Sequence, residues 1–244
     1  MSKLLTIITT TYNATKYIQQ YLVAFKKLDH SKFDWIIVDA ASNDGTLAVL
    51  NSNKSFFSYF ISEKDEGFYY GLNKAIMAIK TPYYLVFGAD DTPSENILEL
   101  ILPKLVKNPS LLLGAVYLDT ANEIKRPKPT WRKYLSWGHV ISHHSVGTVI
   151  AKSMHDKYGL YDTKYKIFAD GAFLMNVLDN EKNIEKTDEV FGYFASGGIS
   201  DNTSLETIIE LFKIQILSEK NIVIQILLLL KRLLYLKSIV KKIR

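Results

Sequence analysis

A short apolar run that ends in two adjacent carboxylates constrains this chain more than any other stretch. The five apolar or aromatic residues at 83–87 are typical of a buried strand. The small residues Gly88 and Ala89 then let a ligand approach the backbone, and Asp90 and Asp91 follow at once. Two neighbouring carboxylates repel each other unless a cation lies between them, so the pattern indicates a divalent metal ion that also holds a diphosphate. Taken alone, a solvated loop in which Asp91 caps the next helix would be the better interpretation.

Strand-like and helix-like stretches alternate through the first half of the chain. The pattern predicts strands at residues 4–9, 35–38, 56–62, 83–87 and 111–118. Such alternation predicts an α/β fold with a single doubly wound, mostly parallel sheet and helices on both faces. The second half is less regular: we expect strands at 146–150 and 190–195, a turn at 157–162, a helix at 173–178, a tight loop at 196–200 and helices from about 203.

Polar or glycine residues follow each of the first four predicted strands, and ligands of parallel sheets bind beyond the carboxyl ends of the strands. These residues are Tyr12 and Asn13, then Asp39, then Asp65 and Gly67, then Asp90 and Asp91. Four coincident positions favour a ligand site, although Asp39 and Asp44 are also good turn formers and Asp44 suits a helix cap. The chain has neither a G-x-G-x-x-G loop after its first strand nor a G-x-x-x-x-G-K-[ST] loop, which argues against dinucleotide dehydrogenases and P-loop NTPases.

The net charge of +5 misrepresents the body of the chain. Seven Lys or Arg residues and no acidic residue follow Glu219, and without them 23 basic residues face 25 acidic ones. We therefore expect no nucleic-acid partner. The chain lacks cysteine, which excludes thiolate metal ligands and is compatible with a reducing compartment. Its first residues lead straight into a strand, so we expect no cleaved signal peptide.

Several short motifs in a shared order resemble the inverting family 2 glycosyltransferases of the GT-A fold, particularly bacterial enzymes that build surface polysaccharides such as lipopolysaccharide. The matching stretches are residues 10–13, 38–46, 65–69 with Asn73 and Lys74, 87–91, His143 with Ser145, 158–162, 169–170 and 197–200. The resemblance covers roughly residues 3 to 200 and therefore implies a GT-A domain over residues 1–202.

The resemblance implies roles for individual residues. Tyr12 and Asp39 would hold the uracil of a UDP-sugar, Asp91 with Asp90 would bind Mn²⁺ or Mg²⁺ on the diphosphate, and Asp170 would be the catalytic base. The further nucleotide contacts that it implies are Thr10, Asn13, Asp65, Gly67, Asn73 and Asp90. Donor or acceptor contacts are expected at Tyr69, His143 and Gly198.

Two other interpretations and three departures from the family pattern stand beside these roles. Asp170 could merely cap the predicted helix at 173–178, and His143 with His144 could be a zinc pair that lacks an evident third ligand. The family often has Asp at the position of Tyr70, and Tyr-Asp at 171–172, where this chain has Gly and Ala. These departures concern the donor-sugar and acceptor contacts and leave the metal and base motifs intact.

The expected reaction is inverting transfer of a hexose or N-acetylhexosamine from a UDP-sugar to a saccharide, which the resemblance suggests is lipid-linked. A sugar nucleotidyltransferase and an inactive, membrane-associated sugar-nucleotide binding module are the alternatives. Residues 203–244 form a separate basic, amphipathic segment, which predicts peripheral association with an anionic membrane surface, on the cytoplasmic face of the cell membrane. Packing of this segment on the body or on a second subunit, as in a homodimer, remains the alternative.

Overall fold

Nine strands form one sheet in the computed structural model, which describes residues 2–119, 121–195, 204–218 and 221–243. The strands are β1 (Leu5–Thr11), β2 (Phe33–Asp39), β3 (Tyr59–Ser62), β4 (Tyr83–Val86), β5 (Thr92–Pro93), β6 (Leu111–Leu118), β7 (Glu123–Lys125), β8 (Thr148–Ala151) and β9 (Ile184–Phe194). The helices are α1 (Thr15–Lys26), α2 (Thr46–Asn51), α3 (Phe68–Ala78), α4 (Ile97–Leu105), α5 (Ser153–Tyr158), α6 (Ala169–Asn180), α7 (Leu205–Ser218) and α8 (Ile222–Ile243).

The first four major strands pair in parallel in the order β3-β2-β1-β4. Their register sets Thr11 of β1 opposite Asp39 of β2, and Asp39 opposite Ser62 of β3. Parallel strands in register end at the same edge, so the loops that follow them are neighbours. Leu5, Ile7 and Ile8 are fully buried, as expected for a strand that is covered on both faces. The predicted α/β fold with a largely parallel sheet flanked by helices is confirmed.

The second half of the sheet is mixed. β8 lies antiparallel to both β4 and β6, whereas β9 runs parallel to β6. The short β5 pairs with the end of β9, which brings the loop after β4 beside the carboxyl end of β9. This pairing joins the two halves of the chain at the edge where the first four strands end.

Four local predictions need correction. The expected strand at 56–62 starts only at Tyr59, because a 3₁₀ turn occupies Lys54–Phe56. The expected turn at 157–162 begins inside α5, and the strand expected at 190–195 is the end of the eleven-residue β9. The helix expected at 173–178 begins four residues earlier, at Ala169, so Asp170 lies inside its first turn. The predicted loop at 196–200, with Gly198, lies outside the described residues.

Asp44 joins two helix starts, as the cap interpretation predicts. Its Oδ1 accepts a bond of 3.0 Å from the backbone N–H of Thr46, in the first turn of α2, and its Oδ2 one of 3.0 Å from that of Thr15, in the first turn of α1. Hydrogen bonds from Thr15 and Thr46 hold the pKa of Asp44 below its usual range.

The two C-terminal helices pack on the irregular segment between β7 and β8. Gln215 of α7 and Gln225 of α8 donate to the backbone carbonyls of Leu135 and Tyr134, at 2.6 and 2.8 Å. Arg232 of α8 donates to the side-chain oxygen Oε1 of Gln215 at 2.6 Å, so this basic residue is engaged inside the fold. In the parts of the chain that the structure describes, no helix has the length and apolarity needed to cross a membrane.

Candidate active site

A cleft of about 1020 Å³ opens at the carboxyl ends of β1 and β4. The predicted site residues that line it are Thr10, Tyr12, Asn13, Tyr69, Asp90, Asp91, His143 and Asp170. The cleft therefore brings the polar strand ends of the first half together with residues of the second half, as expected for a site at this edge of an α/β sheet.

Asp39 lies beneath the cleft and does not line it. Its side chain is fully buried and accepts four hydrogen bonds of 2.5–2.9 Å, from the Thr11 and Ser62 hydroxyls and from the hydroxyl and N–H of Ser42. These bonds use the lone pairs that a carboxylate offers. The observed role of Asp39 is to tie the ends of β1, β2 and β3 together, and its contact with a base stays a prediction.

Three other predicted nucleotide contacts also lie off the cleft wall. Asp65 accepts a bond of 3.1 Å from the N–H of Gly67, in the turn before α3. Gly67 has a φ of 141°, which an L-residue rarely adopts, so the turn itself explains this glycine. Asn73 clamps Tyr161 by donating to its carbonyl at 2.9 Å and accepting from its N–H at 3.0 Å.

The Asp90–Asp91 pair lies on the loop after β4, where the sequence predicted it. Asp91 is 2% exposed and accepts two backbone bonds, from Gly88 N–H at 2.7 Å and from Ala195 N–H at 3.1 Å. Burial raises the pKa of Asp91 to about 7, and the charge of Asp90 adds to the rise. Asp91 therefore links the β4 loop to the end of β9. It does not cap the next helix, because α4 begins only at Ile97 with Asn96 at its N-cap position.

The donor set of this loop suits a hard divalent cation. Carboxylate oxygens are the preferred ligands of Mg²⁺ and Mn²⁺, and a buried carboxylate with a second one beside it gains from a nearby positive charge. No cluster of three or more metal-ligating side chains occurs among the described residues. Two carboxylates suit an ion that a substrate diphosphate helps to bind, since Mg²⁺ commonly combines one or two carboxylates with phosphate oxygens.

Asp170 faces the cleft from the first turn of α6. Its Oδ1 lies 2.6 Å from the Tyr69 hydroxyl, and its Oδ2 lies 3.4 Å from Nδ1 of His144. The same hydroxyl lies 2.6 Å from the carbonyl oxygen of Ile167, so its single proton serves two acceptors. Burial and the neighbouring carboxylate keep the pKa of Tyr69 well above its usual value, so the phenol remains a donor. Phe168 occupies the N-cap position and Asp170 makes no capping bond, so the cap interpretation of Asp170 is wrong.

A carboxylate from α7 binds the backbone that leads into α6. Glu210 accepts from the N–H groups of Lys166, Ile167 and Phe168 at 3.0, 2.8 and 2.6 Å. Phe168 is the N-cap residue of α6 and the other two precede it, so Glu210 fixes the backbone that enters this helix just before Asp170. The sequence gives no spacing signal for this contact, because Glu210 lies 42–44 residues from its partners.

The two adjacent histidines have different surroundings. His143 lines the cleft with its ring 3.8 Å from that of Phe194, and its buried Nδ1 has no hydrogen-bond partner among the described residues. His144 also borders the cleft, and its ring nitrogens lie next to Asp170 and Tyr161. The two rings do not share a ligand, so the zinc-pair interpretation has no support in the described residues.

The segment that carries these histidines is strained. Val146 has a φ of 65°, a region that β-branched residues almost never adopt. Its N–H donates to the carbonyl of Val86 at the end of β4, at 2.7 Å. Strain of this kind persists where surrounding contacts enforce it, and here they hold His143 and His144 next to the β4 loop.

Trp137 explains one departure from the family pattern. A Cβ atom added at Gly171 would lie 2.2 Å from Cζ2 of Trp137, so the indole fills the space of a side chain at that position. Trp137 is buried, lines the cleft and packs edge-to-face on Phe168. The tryptophan therefore forms the wall beside Asp170.

A family model described as glycosyl transferase family 2 matches residues 6–176, which is more than half of the chain. The chain belongs to glycosyl transferase family 2. An uncharacterized glycosyltransferase of Mycobacterium tuberculosis is 24% identical over 176 residues, which are 69% of this chain and 66% of that protein. The glycosyltransferase domain thus spans just under two thirds of the length of this relative.

Solved structures support the same fold. TarS of S. aureus, residues 1–349 in complex with UDP-GlcNAc, has a TM-score of 0.68 at 16% identity and covers 94% of this chain and 71% of its own. The mannosyltransferase PcManGT from Pyrobaculum calidifontis, in complex with GDP-Man and Mn²⁺, has a TM-score of 0.65 at 18% identity and covers 88% of this chain and 65% of its own. At these identities the likeness establishes the GT-A fold.

Proposed function

We propose that this glycosyltransferase moves a hexose or N-acetylhexosamine from a UDP-sugar to a saccharide acceptor, with inversion and with a divalent metal ion. The observation that supports it is the position of two carboxylate sites on one cleft: Asp90 and Asp91 on the β4 loop, and Asp170 on α6. One site suits the diphosphate end of a donor, and the other suits the proton of an attacking hydroxyl.

Asp170 is the proposed general base. An acceptor hydroxyl has a very high pKa, so a positioned carboxylate must take its proton as the oxygen attacks the anomeric carbon. The bond between that carbon and the diphosphate breaks as the new glycosidic bond forms, and direct attack from the opposite face inverts the carbon. The Tyr69 hydroxyl, 2.6 Å from both Oδ1 and the Ile167 carbonyl oxygen, fixes the position of the carboxylate.

Asp91, with Asp90 beside it, would hold Mn²⁺ or Mg²⁺. When bound, the ion supplies charge neutralisation for the departing diphosphate. The described residues around this loop supply oxygen ligands and no thiolate, which suits either ion.

Tyr12 and Asn13 are the proposed contacts of the nucleoside. Tyr12 follows β1 with 66% of its surface exposed, so its ring is available to stack on a base. Asn13 has a φ of 48°, a conformation that Asn tolerates, and its side chain accepts from Asn43 N–H at 3.0 Å. One solved neighbour contains UDP-GlcNAc and another contains GDP-Man, so the experiment below compares donors with uracil and with guanine.

Release of nucleoside diphosphate tests the proposal. The full chain is incubated with Mn²⁺, a saccharide acceptor and either UDP-sugars or GDP-sugars, and free diphosphate and product mass are measured. We expect release of UDP, its loss in EDTA and a product with inverted configuration. A nucleotidyltransferase would release no UDP, and an inactive module would bind the donor and leave it intact. Preference for GDP-sugars would overturn the UDP assignment alone.

An anionic membrane is the proposed location of the acceptor, on the inner face of the cell membrane. One face of α8 presents Val223, Leu227, Leu230 and Leu234, each at least half exposed, and Lys231 and Lys237 are exposed within the same helix. Apolar residues at this spacing with flanking lysines suit the interface of an anionic leaflet. Because Arg232 is engaged with Gln215, fewer basic side chains are free for this role than the sequence suggested.

Vesicle binding of a surface variant tests the membrane contact. Replacing Leu227 and Leu234 with Gln leaves the contacts of Gln225 and Arg232 intact. We expect the native chain to sediment with phosphatidylglycerol vesicles at low salt and less at high salt, and the variant to stay in solution. If instead the variant abolishes a dimer seen by sedimentation, the face is a subunit interface.

A further inference from the structure

A chain of buried hydrogen bonds runs from Asp170 into the protein. Nε2 of His144 lies 2.9 Å from the Tyr161 hydroxyl, which lies 2.8 Å from that of Tyr84. The Tyr84 hydroxyl lies 2.6 Å from Nε2 of His155. These four side chains, of His144, Tyr161, Tyr84 and His155, are at most 6% exposed, so water has little access to their hydrogen bonds.

A backbone carbonyl at the far end sets the direction of these bonds. Nδ1 of His155 lies 2.9 Å from the carbonyl of Gly159, which only accepts, so Nδ1 bears a proton. Burial lowers the pKa of His155 to about 4, so its ring is neutral at pH 7 and Nε2 must accept from Tyr84. Tyr84 then accepts from Tyr161.

The same logic assigns the proton of His144. Tyr161 donates its only proton to Tyr84, so it accepts from Nε2–H of His144. Burial lowers the pKa of His144 as well, so the ring is neutral and its Nδ1 is unprotonated. This nitrogen faces Oδ2 of Asp170 at 3.4 Å, which is longer than the 2.7–2.9 Å typical of a charge-assisted N–H···O bond and fits two facing acceptors.

We propose that His144 is a positioning residue for Asp170, which presents an unprotonated Nδ1 to Oδ2 and thereby stabilises the carboxylic acid formed when Asp170 takes the acceptor proton. The inference rests on the proposed function of Asp170. The proton leaves the acceptor hydroxyl, binds the carboxylate and is then shared between Oδ2 and Nδ1. Tyr161, Tyr84 and His155 hold the ring of His144 in the tautomer that makes this possible.

The ring tautomer is the direct test. Nitrogen chemical shifts of the ¹⁵N-labelled full chain at pH 7, with His144→Gln to assign the signal, report which ring nitrogens carry protons. We expect His144 to be protonated at Nε2 only. A doubly protonated ring, or a proton at Nδ1, overturns the proposal.

The pH profile of kcat separates this role from simple packing. We expect His144→Gln to lower kcat by about tenfold or more, to a smaller extent than Asp170→Asn, with an unchanged donor KM. The acid limb of the profile should move to lower pH, because two facing acceptors take up their first proton more readily than one. The titratable groups near His144 and its partners are Asp170, Tyr161, Tyr69, Tyr84, His155 and His143, with Lys125 and Lys166 on the cleft wall, Lys152 and Asp156 near His155 and Glu210 near Tyr69.

Two tyrosine variants complete the test. Tyr161→Phe removes the acceptor of Nε2–H, so kcat should fall and the tautomer should become mixed. Tyr83→Phe removes a hydroxyl bonded to Asn108, away from the cleft, and should change neither. An equal kcat in the native protein, Tyr161→Phe and Tyr83→Phe overturns the proposal. If Asp170→Asn also retains full activity, the proposed base is wrong, whereas an inactive Asp170→Asn with unaffected His144→Gln and Tyr161→Phe refutes the role of His144 alone.

Discussion

The two carboxylate sites of the cleft are held in different ways. Asp91 is fixed by backbone, because both of its oxygens accept from N–H groups, of Gly88 and of Ala195. Asp170 is placed by side chains: its Oδ1 lies next to the hydroxyl of Tyr69, and its Oδ2 faces the ring of His144. The first arrangement depends on the pairing of strands, and the second on side chains from separate elements.

This difference predicts how each site responds to substitution. A backbone-held carboxylate tolerates changes in neighbouring side chains, while its own loss exposes two buried donors. A side-chain-held carboxylate is tuned by each partner, so single substitutions around Asp170 should change turnover with little effect on the sheet. The variants below test the comparison.

The largest effect is expected at Asp91. Asp91→Ala should abolish transfer and also destabilise the fold by about 1–3 kcal/mol, because the Gly88 and Ala195 N–H groups lose a buried acceptor. Asp91→Asn retains one acceptor oxygen, so it should unfold at a higher denaturant concentration than Asp91→Ala and remain inactive. Turnover with Mn²⁺ and urea unfolding measure the two effects. Native activity in either variant, or of the native chain in EDTA, would contradict the metal assignment.

Asp170→Asn comes next. The amide has the same shape and still accepts from Tyr69, but it cannot take a proton. We expect donor binding to persist while kcat falls by about 10²–10⁴, the usual share of a general base. Calorimetric titration with UDP and single-turnover kinetics separate binding from chemistry. Turnover close to that of the native chain would refute the role of base.

Glu210→Ala tests whether a carboxylate from a distant part of the chain positions Asp170. Removing it leaves three N–H groups just before α6 without their acceptor, so we expect about 1–3 kcal/mol less stability and a reduced kcat. Glu206→Ala, an exposed acid on the same helix, is the matched control and should change neither quantity. A Glu210 variant that is destabilised yet fully active would show that the Glu210 contact stabilises the fold without contributing to turnover.

The smallest effect is on stability, through the buried histidines near Asp170. Burial lowers the pKa of His155 to about 4 and that of His143 to about 3, whereas both groups titrate near 6.5 when unfolded. Each therefore contributes stability that is complete above pH 6.5 and decreases as the pH falls towards 4. His155→Gln should flatten this dependence in urea unfolding measured at pH 7 and pH 5. Parallel curves for the two chains would contradict the assignment.

The parallel half of the site was predictable because its signals are local. Apolar runs of strand length followed by Asn13, Asp39 or Asp90–Asp91 place polar residues at strand ends, and parallel pairing makes those ends neighbours. The sequence could not show that Asp39 is enclosed by Thr11, Ser42 and Ser62, since that depends on register. It also left Asp170 between base and cap, because both roles have the same local pattern.

Sequence alone determined the fold class, the family and the loop that presents Asp90 and Asp91, because strand length, helical spacing and short motifs are written in contiguous residues. Only the tertiary structure decided how Asp170 is held. Tyr69 and His144 contact it, and Glu210 binds the backbone just before it. These three residues come from distant segments, and their approach depends on tertiary packing. Separation along the sequence does not predict such contacts. The burial that alters the pKa values of these groups exists only in the packed tertiary structure.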